Sequence, residues 1–351
     1  MVMKKPRVAV LMGGKSPEYE ISLMTGGEVV RNLDPTKYQV LPIVVSRDGI
    51  TWQIGERENF LLDSPTTKVT FRQKTGSKPS SRKSKVKSLV SADHASLIKS
   101  YGVDIVFIAM HGPYGEDGRV QGFLDLIGVP YTGSGVLASA LGMDKISSRK
   151  LFTQEGLTVP KCLILEKSDS RSKVWKKLKP PVFVKPSNQG SSVGTTKVHT
   201  KKELAKALKT AFSYSQFALV EEYLRGTEIT VPILGNNRPY ALPVIEIVSE
   251  HEFFDYQAKY TDGITKEIVP ARINKYLTKK AQEAALAAYQ TLGCRGFGRV
   301  DMIIRGGKIY VLEVNTIPGL TPVSLFPKAA KVAGISYPML LDKIIGFALK
   351  N

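Results

Sequence analysis

Short apolar runs alternate with amphipathic stretches through the first third of the chain. The predicted strands cover residues 7–12, 38–45, 103–110 and 129–132, and the predicted helices cover residues 21–33, 91–100 and 118–127. Continuously apolar strands that are separated by helices are typical of a parallel sheet whose two faces are covered. This part of the chain therefore predicts an α/β fold.

The pattern changes after a helix predicted over residues 139–156. Strands then follow one another with few helices between them, which is typical of α+β architecture with antiparallel sheets. The predicted strands cover residues 162–165, 182–184, 195–198, 218–222, 228–234, 238–247, 266–269, 298–304 and 308–315. The predicted helices cover residues 202–212 and 278–292 and most of residues 324–350.

The composition is that of an ordinary globular protein, with 42% hydrophobic and 23% charged residues among 351. No apolar stretch approaches the roughly 18 residues that a membrane-spanning helix needs. The apolar run before Gly13 is too short for a signal peptide and has no small-residue cleavage site, so we interpret it as a buried strand. Cys162 and Cys294 lie far apart without metal spacing and are expected to be reduced thiols in a cytoplasmic protein.

The formal net charge is +19, and much of the excess is local. Residues 68–87 contain eight basic residues and no acidic one, in a stretch rich in Ser, Gly and Pro. We interpret it as an exposed basic insertion, about residues 66–90, that is dispensable for catalysis. Nucleic-acid binding is the less favoured alternative, because no helix-turn-helix, zinc-finger or RNA-recognition pattern supports it. Retention on DNA before and after deletion of residues 68–87 would test it.

The first predicted strand ends in Gly-Gly-Lys-Ser at residues 13–16, which resembles a phosphate-binding P-loop only in part. The P-loop pattern requires a glycine where Ala9 stands, so we exclude a P-loop. A strand that ends in glycines still delivers the next residues to the carboxyl edge of a parallel sheet, where such folds bind ligands. Glu18 lies just beyond this strand and is either a ligand-binding carboxylate or a solvated acid in a turn.

A second candidate site is the segment KPSNQGSSVG at residues 185–194, which follows an apolar run. Small residues let backbone N–H groups approach phosphate oxygens, hydroxyl groups add donors, and Lys185 supplies positive charge. A simple hairpin would not need so long a connection. We interpret the segment as a phosphate-binding loop, and a flexible surface loop is the alternative.

The most informative polar residues lie on the last two predicted strands. Alternate residues of a strand share a face, so Arg299 and Asp301 point one way, and Glu313 and Asn315 share a face of their own strand. If the two faces coincide, two carboxylates and an amide carbonyl converge beside an arginine. Such ligands suit Mg²⁺, which binds through one or two carboxylates and nucleotide phosphates, better than Ca²⁺, which needs more oxygens. A structural ion pair of Arg299 is the alternative.

The connection between these strands decides whether the two faces coincide. A two-residue turn at residues 306–307 in a regular hairpin would place Asp301 opposite Leu312, and its carboxylate would then point away from Glu313. A shared metal site therefore requires a connection of odd length, most simply residues 306–308, or a bulge further along either strand. Either arrangement places Asp301 opposite Glu313, and the turn needs a glycine in the left-handed conformation.

An aromatic stretch, FFDYQAKY at residues 253–260, precedes a Gly-containing loop. It contains Phe253, Lys259 and Tyr260. The residues alone are compatible with ordinary packing and with a lid that closes over a bound nucleotide, so both interpretations stay open.

Together these segments resemble the D-alanine–D-alanine ligase family of ATP-grasp enzymes. The matching stretches are GGKSPEYEIS, MHGPYGEDGRVQGFLDLIGVPYTGSGVLASALGMDK, VKPSNQGSSVG, DYQAKY, GFGRVDM and LEVNTIPGLTPVSLFP, in the family's order and at suitable spacing. The resemblance implies a Rossmann-like N-terminal substrate domain over residues 1–142, a central ATP-grasp subdomain over residues 143–225 and a C-terminal ATP-grasp subdomain over residues 226–351. The basic insertion matches no motif of the family.

The resemblance also implies roles for individual residues at the substrate sites. Glu18 would hold the ammonium group of the first D-alanine near His111, and Ser324 and Leu325 would receive the second D-alanine. The residues implied around the reacting groups are Glu18, Ser191, Tyr260, Arg299 and Gly319. Among these, Arg299 and the N–H group of Gly319 would stabilise the tetrahedral oxyanion.

The same resemblance implies a nucleotide site and a metal site. Lys145 and Lys185 would contact ATP phosphates, Glu221, Tyr223 and Leu224 would form the adenine edge, Glu228 would bind the ribose, Phe253 and Leu312 would pack on the base, and Lys259 would approach the nucleotide. Asp301, Glu313 and Asn315 would bind two Mg²⁺ ions, with Mn²⁺ as a substitute.

The implied reaction joins two D-alanine molecules for peptidoglycan synthesis. ATP converts the first carboxylate to D-alanyl phosphate, and the second amine then displaces phosphate, so that ADP is the nucleotide product. Both steps build up negative charge, which lysines, Arg299 and Mg²⁺ are suited to neutralise. A D-alanine–D-lactate ligase, which Tyr260 disfavours, and another ATP-grasp amide ligase stay open as alternatives. The resemblance also predicts a homodimer.

Overall fold

The structure, a computed structural model, describes residues 5–55, 57, 88–89, 94–249 and 265–350, and its strands form three sheets. The strands are β1 (Arg7–Gly13), β2 (Gln39–Val45), β3 (Trp52–Ile54), β4 (Ser88–Leu89), β5 (Ile105–Ile108), β6 (Cys162–Leu165), β7 (Val182–Pro186), β8 (Thr196–Val198), β9 (Ala218–Glu222), β10 (Thr227–Leu234), β11 (Tyr240–Ala241), β12 (Ile245–Ser249), β13 (Thr265–Ile268), β14 (Phe297–Arg305) and β15 (Lys308–Asn315). The helices are α1 (Tyr19–Asn32), α2 (His94–Ser100), α3 (Arg119–Ile127), α4 (Val136–Met143), α5 (Lys145–Gln154), α6 (Ser172–Lys177), α7 (Lys201–Tyr214), α8 (Lys275–Thr291), α9 (Leu325–Val332) and α10 (Tyr337–Ala348).

The first sheet has the strand order β4-β3-β2-β1-β5. Its strand β1 lies between β2 and β5 and is parallel to both, as the alternation of strands and helices predicts. The edge formed by β3 and β4 is antiparallel. The hydrophobic pattern missed this edge, because three and two residues are too few to show a periodicity.

The core of the first sheet is completed by the end of the chain. Val8 to Met12 on β1 are fully buried, and they belong to the same apolar cluster as Phe326 of α9 and Leu340 and Ile344 of α10. Burial of these side chains removes a large apolar area from water, which stabilises the contact between the two ends of the chain. Helices distant in sequence therefore bring the residues around Ser324 to the carboxyl edge of β1.

The second and third sheets are antiparallel. The second has the order β6-β9-β7-β8 and is covered by α7, whose residues Leu204, Leu208 and Ala211 are buried. The third has the order β13-β12-β10-β14-β15, with β11 paired to β10, and α8 packs on it. The predicted change from parallel to antiparallel architecture is confirmed.

The single helix predicted over residues 139–156 is wrong, because the chain forms α4 and α5 with a break at Asp144. The Asp144 carboxylate accepts hydrogen bonds from the N–H groups of Ile146 and Ser147, both at 2.9 Å. This N-cap starts a new helix, since the first N–H groups of a helix have no backbone partner. As a consequence Lys145 becomes the first residue of α5.

Two shorter predictions also need correction. The strand predicted over residues 238–247 is divided into β11 and β12. The strand predicted over residues 129–132 contributes only an isolated parallel bridge between Tyr131 and Val106. Both segments are short, and apolar runs of this length do not by themselves fix the extent of strand pairing.

The turn between β14 and β15 differs from the simplest prediction. A three-residue connection over residues 306–308 is wrong, because Arg305 pairs with Lys308 across a two-residue turn. Gly306 and Gly307 have φ angles of 56° and 76°. Two successive positive φ angles are those of the hairpin turn that matches strand twist, and glycine adopts them without steric cost.

The alternative prediction, a bulge further along the hairpin, is confirmed. Met302 lies opposite Val311, but Asp301 lies opposite Glu313, so Leu312 is an extra residue on β15. The bulge changes the parity of the pairing. It thereby places the Asp301 and Glu313 side chains on one face of the sheet.

None of the helices in the described ranges is long and apolar enough to cross a membrane. Cys162 and Cys294 are free thiols, and burial raises the pKa of each to about 12. The basic segment of residues 68–87 and the aromatic stretch of residues 253–260, with Phe253, Lys259 and Tyr260, lie outside the described residues.

Candidate functional site

Two adjoining cavities contain the side chains that the sequence singles out. The first has a volume of about 370 Å³ and the second of about 450 Å³. Three residues, Lys145, Arg299 and Glu313, line both cavities. The first cavity is also lined by Glu18, His111, Ser191, Asn315, Gly319, Ser324 and Leu325. The second cavity is also lined by Lys185, Glu221, Tyr223, Leu224, Glu228, Asp301 and Leu312.

Glu18 lies at the inner end of the first cavity and is 4% exposed. Its carboxylate accepts a hydrogen bond from the Ser191 hydroxyl, which comes from the loop between β7 and β8. Gly112 packs against it, and a Cβ atom at that position would lie 2.5 Å from Glu18 Oε2. A side chain at residue 112 would therefore displace the carboxylate.

The Ser191 backbone is strained. Ser191 and Ser192 have φ angles of 47° and 60°, in the left-handed region that side-chain-bearing residues seldom adopt. Such strain persists where surrounding contacts hold it, and it is common at ligand-binding sites. The hydrogen bond from Ser191 to Glu18 is one of these contacts. The predicted phosphate-binding loop is therefore joined directly to the first cavity.

His111 is buried beside Glu18 and bonded on both ring nitrogens. Nε2 lies 2.9 Å from Thr25 Oγ1, and Nδ1 lies 3.3 Å from Glu116 Oε1 and 3.1 Å from the Ile317 carbonyl. Burial favours the neutral ring, but Glu116, with additional contributions from Glu18 and the Ile317 carbonyl, outweighs it and raises the pKa of His111 above its ordinary value. The carboxylates of Glu116 and Glu18 therefore favour the protonated form of the His111 ring.

The raised pKa of His111 predicts a pH-dependent contribution to stability. A group whose pKa is raised on folding stabilises the native state fully below its unfolded value, about 6.5, and this contribution is lost as pH rises through the folded pKa. We therefore expect the difference in unfolding free energy between the wild-type protein and Glu116→Gln to be larger at pH 6 than at pH 9. Urea unfolding at a series of pH values measures it. A difference that grows with pH contradicts the assignment.

The boundary between the cavities is built from paired charges on β14 and β15. Arg299 donates two hydrogen bonds of 2.8 Å to the Asp301 carboxylate, and Lys145 Nζ lies 3.0 Å from Glu313 Oε2. In the strand register Arg299 is opposite Asn315, and Asp301 is opposite Glu313. These four residues of the hairpin form a compact polar block on one face, as the sequence predicts.

The bulge at Leu312 determines which side chains of β15 line the second cavity. In a regular strand Leu312 and Glu313 would point to opposite faces, but both line the second cavity. Val311 and Val314 are buried in the apolar core on the other side. One extra residue thus adds an apolar side chain to the cavity without removing a carboxylate.

The donor set of this block fits a divalent cation with few protein ligands. Asp301 and Glu313 offer two carboxylates, and the Asn315 side-chain carbonyl accepts the Ile317 N–H at 3.0 Å and keeps a second lone pair. No group of three or more His, Cys, Asp and Glu side chains that could hold a metal occurs among the residues that the structure describes. Two carboxylates and one amide carbonyl are oxygen donors of the kind that suit Mg²⁺, which commonly binds through one or two carboxylates together with water and phosphate oxygens.

The inner wall of the second cavity is a buried ion-pair cluster. Lys185 Nζ lies 2.6 Å from Glu221 Oε2, and Arg149 contacts the other oxygen of that carboxylate at 3.2 Å. Burial alone would lower the pKa of Lys185, but the Glu221 and Glu313 carboxylates outweigh it and raise the pKa above its ordinary value. Lys185 therefore stays positively charged where the second cavity meets the loop that follows β7.

The outer part of the second cavity is aromatic and apolar. The Tyr223 ring lies 5.8 Å from the Phe183 ring, and Lys197 Nζ lies 4.2 Å above Tyr223. Leu224 is buried beside them. Aromatic and apolar side chains together with buried charges in one cavity suit the base and the phosphates of a nucleotide.

The segment that leads into α9 also lines the first cavity. Leu325 is the first residue of that helix, and Ser324 precedes it without capping it, because the Ser324 hydroxyl lies 2.7 Å from Thr321 Oγ1 instead. Gly319 packs against Ser324, and a Cβ atom there would lie 3.2 Å from Ser324 Oγ. The predicted residues Gly319, Ser324 and Leu325 thus lie together in the wall of the first cavity.

Sequence reasoning missed several residues of these cavities. Glu116 is the partner of His111, and Arg149 lies one helical turn after Lys145 and contacts Glu221. Two ion pairs were also missed: Arg272 with Glu246 in the second cavity, and Lys328 with Glu267 in the first. The sequence could have indicated Glu116, because it lies five residues after His111 in the same motif. The two ion pairs join separate elements, and no local signal marks them.

Known proteins match the whole of this arrangement. Family models described as D-ala D-ala ligase N-terminus and D-ala D-ala ligase C-terminus match residues 7–134 and 151–346. A D-alanine–D-alanine ligase of Desulforamulus reducens is 39% identical over 353 residues, which cover 98% of this chain and 99% of the relative. That of Desulforudis audaxviator is 41% identical over 345 residues, with 97% and 98% covered.

Solved structures agree with these matches. The VanG D-Ala:D-Ser ligase from Enterococcus faecalis has a TM-score of 0.82 and 36% identity, with 98% of this chain and 100% of that chain covered. The Bacillus anthracis D-alanine–D-alanine ligase complexed with ATP has a TM-score of 0.75 and 36% identity, with 99% and 98% covered. The resemblance seen in the sequence is confirmed, and the chain belongs to the D-alanine–D-alanine ligase family.

Proposed function

We propose that the protein joins two D-alanine molecules to D-alanyl-D-alanine, with conversion of ATP to ADP and phosphate, in the synthesis of peptidoglycan. One observation carries the proposal. Two cavities of about 370 and 450 Å³ adjoin each other, and Lys145, Arg299 and Glu313 line both. A carboxylate in the first cavity and a phosphoryl group in the second would meet at this charged boundary.

The first D-alanine lies with its ammonium group on Glu18, the buried carboxylate at the inner end of the first cavity. The His111–Glu116 pair lies close to this carboxylate. The Ser191 hydroxyl, in the loop between β7 and β8, donates a hydrogen bond to it. The substrate carboxylate then points to the boundary between the two cavities. There, two hydrogen bonds to Asp301 fix the orientation of the Arg299 guanidinium group. Orientation of this kind lowers the entropic part of the barrier.

ATP occupies the second cavity, as the ATP complex of the Bacillus anthracis enzyme supports. Lys145 and Lys185 face the phosphates, Glu221, Tyr223 and Leu224 form the adenine edge, and Glu228 binds the ribose, with Leu312 against the base. These residues line the cavity together. The roles of Phe253 and Lys259, which lie outside the described residues, stay predictions from the resemblance.

Asp301, Glu313 and Asn315 would hold two Mg²⁺ ions, with Mn²⁺ as a substitute. Bound there, the metal supplies positive charge that lowers the repulsion between the phosphates and the attacking carboxylate. Lys145 and Arg299 provide the same kind of charge from the protein at fixed positions. Their present partners, Glu313 and Asp301, hold both cations at the boundary.

The second D-alanine would lie at Ser324 and Leu325, with its amine directed at D-alanyl phosphate. Attack of the amine nitrogen on the acyl carbon forms the amide bond and breaks the bond to phosphate. Arg299 and the Gly319 N–H would stabilise the oxyanion that develops in between. Because an acyl phosphate is labile to water, a closing lid is useful. The assignment of residues 253–260 to such a lid stays a prediction.

The products test this mechanism. With ATP, Mg²⁺ and D-alanine we expect D-alanyl-D-alanine, ADP and phosphate in equal amounts, because only the terminal phosphoryl group is transferred. Chromatography of the amino acid and nucleotide products measures all three. AMP and pyrophosphate as the stoichiometric products would refute the acyl phosphate route.

The acceptor is the finer question, since the VanG enzyme is described as a D-Ala:D-Ser ligase. We propose D-alanine as the preferred acceptor, and the resemblance associates Tyr260 with dipeptide rather than depsipeptide formation. Competition of D-alanine with D-serine and D-lactate at neutral pH tests it. We expect D-alanyl-D-alanine as the main product, and a dominant depsipeptide contradicts the role of Tyr260.

The remaining proposals concern organisation. We propose a cytoplasmic homodimer and a division into an N-terminal domain of residues 1–142 and ATP-grasp subdomains of residues 143–225 and 226–351. Membership of the family supports them. Sedimentation equilibrium measures the mass in solution, and a monomer at all concentrations contradicts the dimer.

A further inference from the structure

Lys328 is a charged residue of the first cavity that the proposed mechanism does not use. It lies in the first turn of α9, and its Nζ forms an ion pair with Glu267 on β13. Both side chains line the cavity. The backbone N–H of Lys328 donates to the Ser324 carbonyl at 3.1 Å, so the lysine lies one turn from the acceptor residues.

The basic side chains of the first cavity fall into two groups. Lys145 and Arg299 also line the second cavity, and they contact Glu313 and Asp301 at the boundary. Among the described lysines and arginines, Lys328 alone lines the first cavity and not the second. One helical turn after Ser324, Lys328 therefore supplies positive charge to the first cavity away from its boundary with the second.

The acceptor needs such a charge. An amino acid that attacks through its neutral amine carries only its carboxylate charge, and a carboxylate that leaves water requires a cation or several donors. An ammonium group has three N–H donors. Lys328 can therefore keep its bond to Glu267 while it donates to a second carboxylate.

We propose that Lys328 is a specificity-determining residue that binds the carboxylate of the acceptor amino acid, and that Glu267 holds its ammonium group at the cavity wall. The proposal rests on the proposed function and names a residue of its acceptor site. It differs from a purely structural role, in which the ion pair would only join α9 to β13. The two roles predict different effects when the two partners are replaced one at a time.

Kinetics of two single variants separate these roles. Lys328→Met keeps the apolar stem and the helix propensity but removes the charge, and we expect it to raise the KM for the acceptor D-alanine about tenfold. The KM for ATP should stay within about twofold of the wild-type value. Glu267→Gln leaves the lysine charge in the cavity and keeps an amide oxygen that can accept the lysine hydrogen bond, so the acceptor KM should stay unchanged or fall. Lys331→Met, at an exposed lysine of the same helix, is the matched control.

Hydroxylamine provides a second readout, because it is a nucleophile without a carboxylate. Its nitrogen attacks the acyl carbon of D-alanyl phosphate and releases phosphate, so it forms D-alanine hydroxamate. With D-alanine and hydroxylamine in competition, Lys328→Met should raise the ratio of hydroxamate to dipeptide about tenfold. The variant Lys331→Met should give the wild-type ratio.

The outcomes are distinct. An unchanged acceptor KM in Lys328→Met, or an equal rise in Lys328→Met and Glu267→Gln, overturns the proposal and leaves the ion pair a structural contact. Circular dichroism melting curves identify any variant that fails to fold. If Lys328→Met does not fold, Lys328→Arg replaces it as the test, and because it retains the positive charge we expect it to keep the low acceptor KM. If the wild-type protein makes no dipeptide at all, the proposed function itself is wrong.

Discussion

Replacement of Glu313 with Gln is expected to reduce kcat by at least about a thousandfold, because loss of a metal-balancing charge removes several kcal/mol of transition-state stabilisation. The amide has the same volume and keeps one oxygen. Glu313 is about a quarter exposed and lies outside the apolar core, so the fold should persist. The loss should therefore appear in turnover rather than in stability.

The rate of ADP formation at saturating ATP and D-alanine measures this effect, with a melting curve to monitor the fold. Glu283→Gln is a suitable control, because Glu283 is an exposed acid on α8 with only a loose contact of 3.8 Å to Lys279. We expect that control to retain the wild-type rate. Activity of Glu313→Gln at ordinary Mg²⁺ concentrations would show that the metal assignment is wrong.

Glu313 also contacts Lys145, and the experiment must separate the two roles. In Glu313→Gln the lysine loses a charged partner at 3.0 Å but keeps the Gln189 carbonyl at 2.7 Å. If the lysine position alone mattered, added Mg²⁺ would not change the rate. If the carboxylate binds metal, the variant should recover part of its activity as Mg²⁺ is raised well above the wild-type requirement.

The β14–β15 hairpin shows what the sequence alone could predict. The alternation of polar residues predicts which side chains share a face of each strand, and the need for one metal site predicts that Asp301 lies opposite Glu313. That pairing is confirmed. The pattern could not choose between an odd turn and a bulge, because both give the same parity. The structure has a two-residue turn and a bulge at Leu312.

The sequence also predicted the loop after β7 and the helices of the first sheet, because these signals are local. It did not predict the break at Asp144, where capping competes with an otherwise continuous helical pattern. The ion pair of Lys328 and Glu267 joins residues 61 positions apart. Such contacts depend on how whole elements pack, which periodicity does not encode. The resemblance supplied the remaining roles, and those stay predictions until they are measured.

The site also depends on chain ends that meet only in the fold. Glu18 follows β1, and Ser324 precedes α9, yet both line the first cavity because α9 and α10 share a core with β1. Apolar residues such as Phe326 and Leu340 therefore hold Glu18 and Ser324 at the same cavity. Their pattern predicts a buried helix face, but not which sheet it covers.

Replacement of Arg299 with Lys is expected to reduce kcat by about a hundredfold to a thousandfold, the range seen when one oxyanion donor is lost. The charge is retained, but the geometry is not. Arg299 donates two parallel hydrogen bonds to Asp301, both of 2.8 Å, and its planar guanidinium group carries five N–H donors in a fixed geometry. A lysine ammonium is a compact point charge that cannot reproduce this planar fork.

The loss should fall on kcat rather than on the KM for ATP, because an oxyanion contact is made in the transition state and not in the ground state. Asp301 keeps its hydrogen bond of 2.5 Å from Thr230, so the carboxylate stays in place when the arginine is changed. If Arg299→Lys raised only the KM for ATP, Arg299 would instead bind the nucleotide equally in the ground state and in the transition state.

Arg305→Lys is the matched control for this substitution. Arg305 ends the same strand, is half-exposed, and lies 3.8 Å from Glu222, so the exchange there removes only a loose surface contact. Steady-state rates of ADP formation for both variants, with melting curves, complete the test. We expect Arg305→Lys to match the wild-type protein and Arg299→Lys to fold but turn over slowly. Equal rates for the two variants would show that the bidentate contact of Arg299 with Asp301 serves the hairpin and not the reaction.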